Sequence, residues 1–179
     1  MKQKGIIKKI LIIIFFILVI VLFISNSFDV EKRGIKTVEY RVYTKENGWS
    51  KWAKNGNSSG NKKDNILKIE IKTKADSNVS TQYFDGKNWN SKTDNKSINA
   101  ISFSNMYSFA EKYSMCYRTF NKKNGWMNWT CSDDNDNISG NSKETITAIQ
   151  VKIIPKNVVL NDYLEGYKTN RNKANVGFE

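Results

Sequence analysis

The chain predicts an all-β protein: a single pseudo-threefold domain of three repeats, about 38 residues each, behind an N-terminal transmembrane helix. Three observations carry this expectation. The spacing G-W-x-x-W occurs twice, as Gly48-Trp49-Ser50-Lys51-Trp52 and Gly125-Trp126-Met127-Asn128-Trp129, 77 positions apart. Both copies are flanked by alternating apolar and polar residues, the period-two signature of half-buried strands. An unbroken apolar run from Ile10 to Ile24 follows Lys2, Lys4, Lys8 and Lys9.

That run alone would make about 22 Å of helix, short of a hydrocarbon core of about 30 Å. Extending it from Ile6 to Phe28 gives about 34 Å, with Lys8 and Lys9 snorkelling to the inner interface. The basic flank places residues 1–9 in the cytoplasm and everything after Ser25 outside. Length favours an uncleaved anchor over 10–28, followed by a linker over 29–35. The alternative is a cleaved signal peptide, with Ser25-Asn26-Ser27 as a poor cleavage site. Either way the expected location is the cell membrane or beyond, with enough chain outside for one compact domain.

The net charge is +12, of which four charges lie in the first nine residues. A basic exterior faces anionic wall polymers, glycans or lipid head groups. The abundance of Lys, Asn and Ile throughout offers a purely compositional explanation. Nucleic acid is not an expected partner, because there is no basic helix and no dense Arg cluster.

Within each repeat the elements follow from pattern. Val38, Tyr40 and Val42 alternate with Glu39, Arg41 and Tyr43, and Tyr40-Arg41-Val42-Tyr43 is matched by Tyr117-Arg118-Thr119-Phe120. The turns Lys45-Glu46-Asn47-Gly48 and Lys122-Lys123-Asn124-Gly125 close on a residue able to adopt the left-handed conformation. A strand through Trp49 and Trp52 then runs toward Gly56, followed by a Gly- and Asn-rich loop. Leu67, Ile69 and Ile71 define the buried face of the last strand, as do Ile101 and Phe103, and then Ile149, Val151 and Ile153. A degenerate middle copy centres on Trp89, read as the counterpart of Trp52, with the first Trp missing and the loop to Ile98 shortened. Two repeats plus a spacer is the alternative.

The repeats span 36–75, 78–106 and 113–156. None is large enough to bury a core alone, so they must share one, with a β-prism favoured over a β-trefoil. Helical periodicity is absent outside the anchor. The tail 157–179 is polar apart from Val158-Val159-Leu160 and Tyr163-Leu164, and is expected to pack loosely.

Residues three apart on a strand point to opposite faces. Trp52, Trp89 and Trp129 are therefore expected to form the shared structural core. Trp49 and Trp126, with Tyr43 and Phe120, would look outward as candidate ligand-binding residues. Exposed flat aromatics suit stacking on sugar rings or on a protein; the competing reading is that they merely cover the sheet.

Cys116 and Cys131 shifted back by 77 fall on Glu39 and Lys54. Both pairs should lie directly opposite on adjacent strands, where a Cα separation of about 4.5 Å permits a disulfide. Closing such a loop stabilises by about 3 kcal/mol in the chain-entropy model, and an exterior location permits it. Two reduced, buried cysteines are the alternative. With no His and only two cysteines, no metal, cofactor or catalytic residue is expected. No nucleophile elbow, phosphate loop or dinucleotide fingerprint appears. The acidic run Asp133-Asp134-Asn135-Asp136-Asn137 lacks the central Gly of a calcium loop and reads as a solvated loop, with a weak irregular cation site as the alternative.

The pattern Tyr40-Arg41, Gly48-Trp49-x-x-Trp52-x-x-Asn55-Gly56-x-x-x-Gly60, then Ile69-x-Ile71, resembles the clostridial hydrophobic repeat with a Trp (the ChW repeat). Tyr117-Arg118 through Gly125-Trp126 to Ala148-Ile149-Gln150-Val151-Lys152 and Pro155-Lys156 is similar to it too. The likeness covers about 36–74 and 113–156, with a fainter version between. The middle copy lacks one Trp, and the third lacks the Asn-Gly after its second Trp. The resemblance implies an extracytoplasmic surface module of low-GC Gram-positive bacteria that binds cell-wall polysaccharide or a surface protein, without catalysis. The alternatives are an accessory structural subunit docking another envelope protein and, less favoured, a wall-acting hydrolase using paired carboxylates.

Overall fold

Alternation along Val38–Thr44 (β1) buries Val38, Tyr40, Val42 and Thr44 and leaves Glu39, Arg41 and Tyr43 half-exposed. From this strand a computed structural model builds a mostly β-sheet protein, described over residues 37–73, 79–105, 109–160, 164 and 175–178. The proposed targeting segment and linker lie outside the described residues.

The first repeat continues with Gly48–Trp49 (β2), Ala53–Lys54 (β3), Ser59–Gly60 (β4) and Ile66–Thr73 (β5). The middle repeat has Val79–Phe84 (β6), Trp89–Asn90 (β7) and Ala100–Asn105 (β8). Phe109–Lys112 (α1) is a single helical turn, which periodicity could not foresee. The third repeat has Tyr113–Asn121 (β9), Gly125–Trp126 (β10), Thr130–Cys131 (β11), Ile138–Asn141 (β12) and Ile146–Pro155 (β13). Asn175–Val176 (β14) follows.

Three sheets result, each organised on the long antiparallel pair of one repeat: β1 with β5, β6 with β8, β9 with β13. No sheet closes into a barrel among the described residues. Short strands cross between repeats. β4 of the first repeat adds to β13 of the third, and β12 of the third adds to β8 of the middle one. The Ile98 N–H donates to the Ile66 carbonyl at 3.0 Å, and the Ile146 N–H donates to the Ile98 carbonyl at 2.8 Å. Ile66, Ile98 and Ile146 are all essentially inaccessible to solvent.

One inner cluster draws on all three repeats, including Tyr40, Ile69, Ile101, Phe103, Tyr117, Ile149 and Val151. Its members are aliphatic residues, Met115, Phe103 and buried tyrosines, with no Trp. Leu67 was expected on the buried face; Ile66 holds that place instead. A bulge opposite Tyr43 and Thr44 inserts Leu67 as an extra residue and shifts the alternation.

Two crossing points require glycine. Gly60 faces Ala148 and Gly140 faces Ala100, at φ +108° and +145°. A Cβ would lie 2.3 Å from the Thr147 carbonyl oxygen at Gly60, and 2.4 Å from the Asn99 carbonyl oxygen at Gly140. Backbone therefore approaches backbone where one repeat's strand joins another's sheet. Beside these crossings, Tyr40 and Tyr117 donate their buried hydroxyls to the carbonyls of Asn57 and Asn137. Burial pushes the Tyr40 hydroxyl from 10.0 up to about 12, and raises Tyr117 in the same direction.

Gly60→Ala should cost about 3 kcal/mol in urea unfolding, since both the clash and the left-handed conformation oppose it. Gly56→Ala, also at positive φ but meeting only the flexible Lys152 chain at 3.5 Å, should cost about 1 kcal/mol. A second expectation concerns alkali. A raised folded pKa stabilises fully below pH 10.0 and fades as pH climbs through about 12. Tyr40→Phe should therefore flatten the alkaline fall of the urea midpoint relative to the parent chain.

Candidate functional site

The turn residues place an aromatic pair at the same end of every sheet. Gly48 and Gly125 close their hairpins at φ +67° and +75°. They bring Trp49 opposite Tyr43 and Trp126 opposite Phe120. The rings meet edge-on, with centroids 5.4 and 5.5 Å apart. In the middle repeat Trp89 stands opposite Phe84, centroids 5.4 Å apart. Its turn is held by Asp85, whose carboxylate accepts the N–H groups of Lys87 and Asn88.

Trp89 is thus the counterpart of Trp49 and Trp126, not of Trp52. It is about one-third exposed (36%) and is not a core residue. The turn after Phe84 is one residue shorter than the turn after Tyr43, which breaks the Gly-Trp dipeptide and hides the match. The middle repeat has lost the second Trp rather than the first. A pairing of Tyr83-Phe84 with Tyr43, ahead of an Asp-Gly turn, was the signal available in the sequence.

Nor do Trp49 and Trp52 face opposite ways. The strand stops at Trp49, and Ser50 N–H donates to the Val42 carbonyl at 2.8 Å before β3 resumes at Ala53. This break brings both indoles to one face, around Arg41. The Arg41 guanidinium lies 4.5 Å from the Trp49 centroid and 4.6 Å from that of Trp52. Its Nε donates to Glu70 Oε2 at 2.7 Å. Lys72 Nζ caps Trp52 at 4.1 Å, and Lys68 Nζ lies 5.5 Å from the Tyr43 ring. Trp52 is half-buried under these cations, outside the inner cluster. Stacked cations of this kind each contribute about 0.5–2 kcal/mol, depending on desolvation.

The third repeat repeats the arrangement. Arg118 lies 5.0 Å from Trp126 and 4.9 Å from Trp129, and its Nε donates to Gln150 at 2.6 Å. Lys62 leans over Phe120 and Trp126. Trp129 is buried, but in a separate outer cluster with Cys116, Cys131, Ile154 and Leu164, against which Val158 and Leu160 pack. The expectation that Trp52, Trp89 and Trp129 pool in a shared core therefore fails at all three positions.

Cys116 and Cys131 lie opposite each other and are joined in a disulfide. At the matching register Glu39 faces Lys54, with Lys54 Nζ 2.9 Å from Glu39 Oε1. One outer face thus carries an ion pair where the other carries an apolar bridge. An apolar bridge beside Trp129 gives the chain after β13 a surface to bury against. Within the tail, expected to pack loosely, Leu164 is 1% exposed and Val158 and Leu160 pack on the outer cluster. Further on, β14 pairs parallel with β12. Phe178 there meets Phe84 and Trp89, centroids 5.1 and 5.8 Å apart.

The acidic run forms a turn. Asp134 Oδ2 accepts the Cys131 N–H at 2.8 Å and the Thr130 hydroxyl at 3.1 Å. Among the described residues, no three His, Cys, Asp or Glu side chains gather as a cation site. Comparison with protein-family models, curated proteins and solved structures found no match to this chain.

Replacing both cysteines by Ser should lower unfolding stability by about 3 kcal/mol, given a bridge across 15 positions. The same change should loosen Leu164, read as faster proteolysis after residue 156. Equal stability and equal proteolysis in the two proteins would contradict the coupling of bridge and tail.

Proposed function

We propose that this chain is a non-enzymatic surface-binding protein, held at the outer side of a cell membrane by its N-terminal segment. Its three sheets would form a prism about an approximate threefold axis. The recurring registers and the separate sheets support that arrangement over a trefoil, which needs a closed barrel. The ligand would be a cell-wall polysaccharide or a surface protein, as the ChW resemblance implies.

One observation carries the reading: Trp49 is 37% exposed, at the outer end of the Arg41–Trp52 stack rather than in a core. A large apolar ring left in water costs free energy that a ligand surface would recover. The absence of His from the chain favours binding over hydrolysis, because the commonest general base is missing.

The test is retention of the purified exterior part on cell-envelope material, before and after digestion of envelope proteins. Binding that survives digestion and falls about tenfold in Trp49→Ala, with the circular dichroism spectrum unchanged, is the expected result. Binding abolished by digestion would assign the chain to docking on an envelope protein. No retention on either material would refute the surface-binding reading.

A further inference from the structure

The three aromatic faces differ in what surrounds the ring: Trp49 and Trp89 are almost equally exposed, at 37% and 36%, and Trp126 is half-buried. In the middle repeat Phe178 lies against both Phe84 and Trp89, and among the described residues no cation stacks on either ring. In the third repeat Val158, Leu160 and Leu164 pack on the cluster that holds Trp129, and Lys62 from the first repeat leans over Trp126. Among the described residues, no tail residue and no cation of another repeat meets the aromatic rings of the first repeat. Its outer face presents Trp49 with Tyr43, backed by Arg41.

The charge of that face is one-sided. Across the strands the outer residues align as Lys72, Glu39 and Lys54 in one row, and Lys68, Tyr43 and Trp49 in another. Between these rows Arg41 is matched to Glu70. Lys54 pairs with Glu39 and Arg41 with Glu70, while the ammonium groups of Lys68 and Lys72 rest on Tyr43 and Trp52. A cation over an aromatic face keeps its charge and remains available to an incoming anion. No aliphatic side chain contributes to these rows, so the face lacks the apolar breadth of a protein interface core.

We infer that the first repeat alone is the ligand site, and that it selects an acidic polysaccharide. This inference rests on the surface-binding reading. A sugar ring stacks on the open face of Trp49, while its carboxylate or phosphate substituents meet Lys68 and Lys72 along the same sheet. Trp89 of the middle repeat is as exposed as Trp49 but carries no stacked cation among the described residues, and Trp126 of the third is half-buried beneath Lys62, so one chain binds one segment of polymer.

The experiment measures affinity of the full-length chain, in detergent, for three immobilised probes. Polygalacturonate carries sugar rings and charge, its fully methyl-esterified form carries the rings alone, and poly(glycerol phosphate) carries charge alone. Polygalacturonate should bind at least about tenfold more tightly than either of the others. A Lys68→Gln/Lys72→Gln variant should lose about tenfold for polygalacturonate and little for the ester, and Trp49→Ala should weaken both ring polymers. Trp126→Ala should leave all three within about twofold, and bound polymer segments should number one per chain.

Equal affinity for the ester would overturn the selection of acidic ligands while leaving surface binding intact. Equal affinity for poly(glycerol phosphate) would overturn stacking on Trp49. Loss of binding in Trp126→Ala with Trp49→Ala unaffected would overturn the location. Retention on envelope material without affinity for any of these probes would overturn the acidic-polysaccharide assignment and leave the surface-binding reading standing.

Discussion

Main-chain hydrogen bonds between repeats govern this structure. β4 leaves the first repeat to pair with β13, β12 leaves the third to pair with β8, and the Ile66, Ile98 and Ile146 backbones are linked in sequence. A buried N–H or carbonyl without a partner costs about 1–3 kcal/mol. Separating the repeats would strand several such groups at once and expose the inner isoleucines. Each long strand pair is therefore built for a neighbour, and the glycines at 60 and 140 exist because backbone meets backbone there. The inner face, once committed to this shared cluster, leaves only the outer faces free to differ.

Those outer faces have diverged along a single theme. An Arg between two indoles recurs in the first and third repeats, with the salt bridge to Glu70 in one replaced by a hydrogen bond to Gln150 in the other. The exchange of Glu39 and Lys54 for Cys116 and Cys131 turns a charged surface into an apolar one, which the C-terminal segment then covers. The middle repeat carries Gln82 at the Arg position and no second Trp, and its remaining pair is met by Phe178. Divergence on the outside at constant inner packing is what lets one fold carry three different outer faces.

Much of this was legible in the residues, and the limits have physical causes. Strand type, the long pairs, the left-handed glycines of the Gly-Trp turns and the opposition of Cys116 to Cys131 all follow from alternation and from the 77-residue shift. Leu67 misled because a bulge resets the alternation without leaving a mark in composition. Trp52 misled because strand parity assumes an unbroken strand, whereas Ser50 to Trp52 leave the ladder. Trp89 misled because a turn shortened by one residue displaces the match. The burial of Leu164 was hidden because the outer cluster that receives it, built from Cys116, Cys131, Trp129 and Ile154, assembles only on folding.

The central claim is that three repeats form one cooperative unit through their shared backbone contacts. Native-state amide hydrogen exchange across a denaturant series tests it most directly. The account predicts that the amides of Ile98 and Ile146, and those of the long strand pairs in all three repeats, converge on a single global unfolding free energy. Exchange of the middle repeat's amides through a local opening, at much lower free energy than those of the first and third, would contradict it.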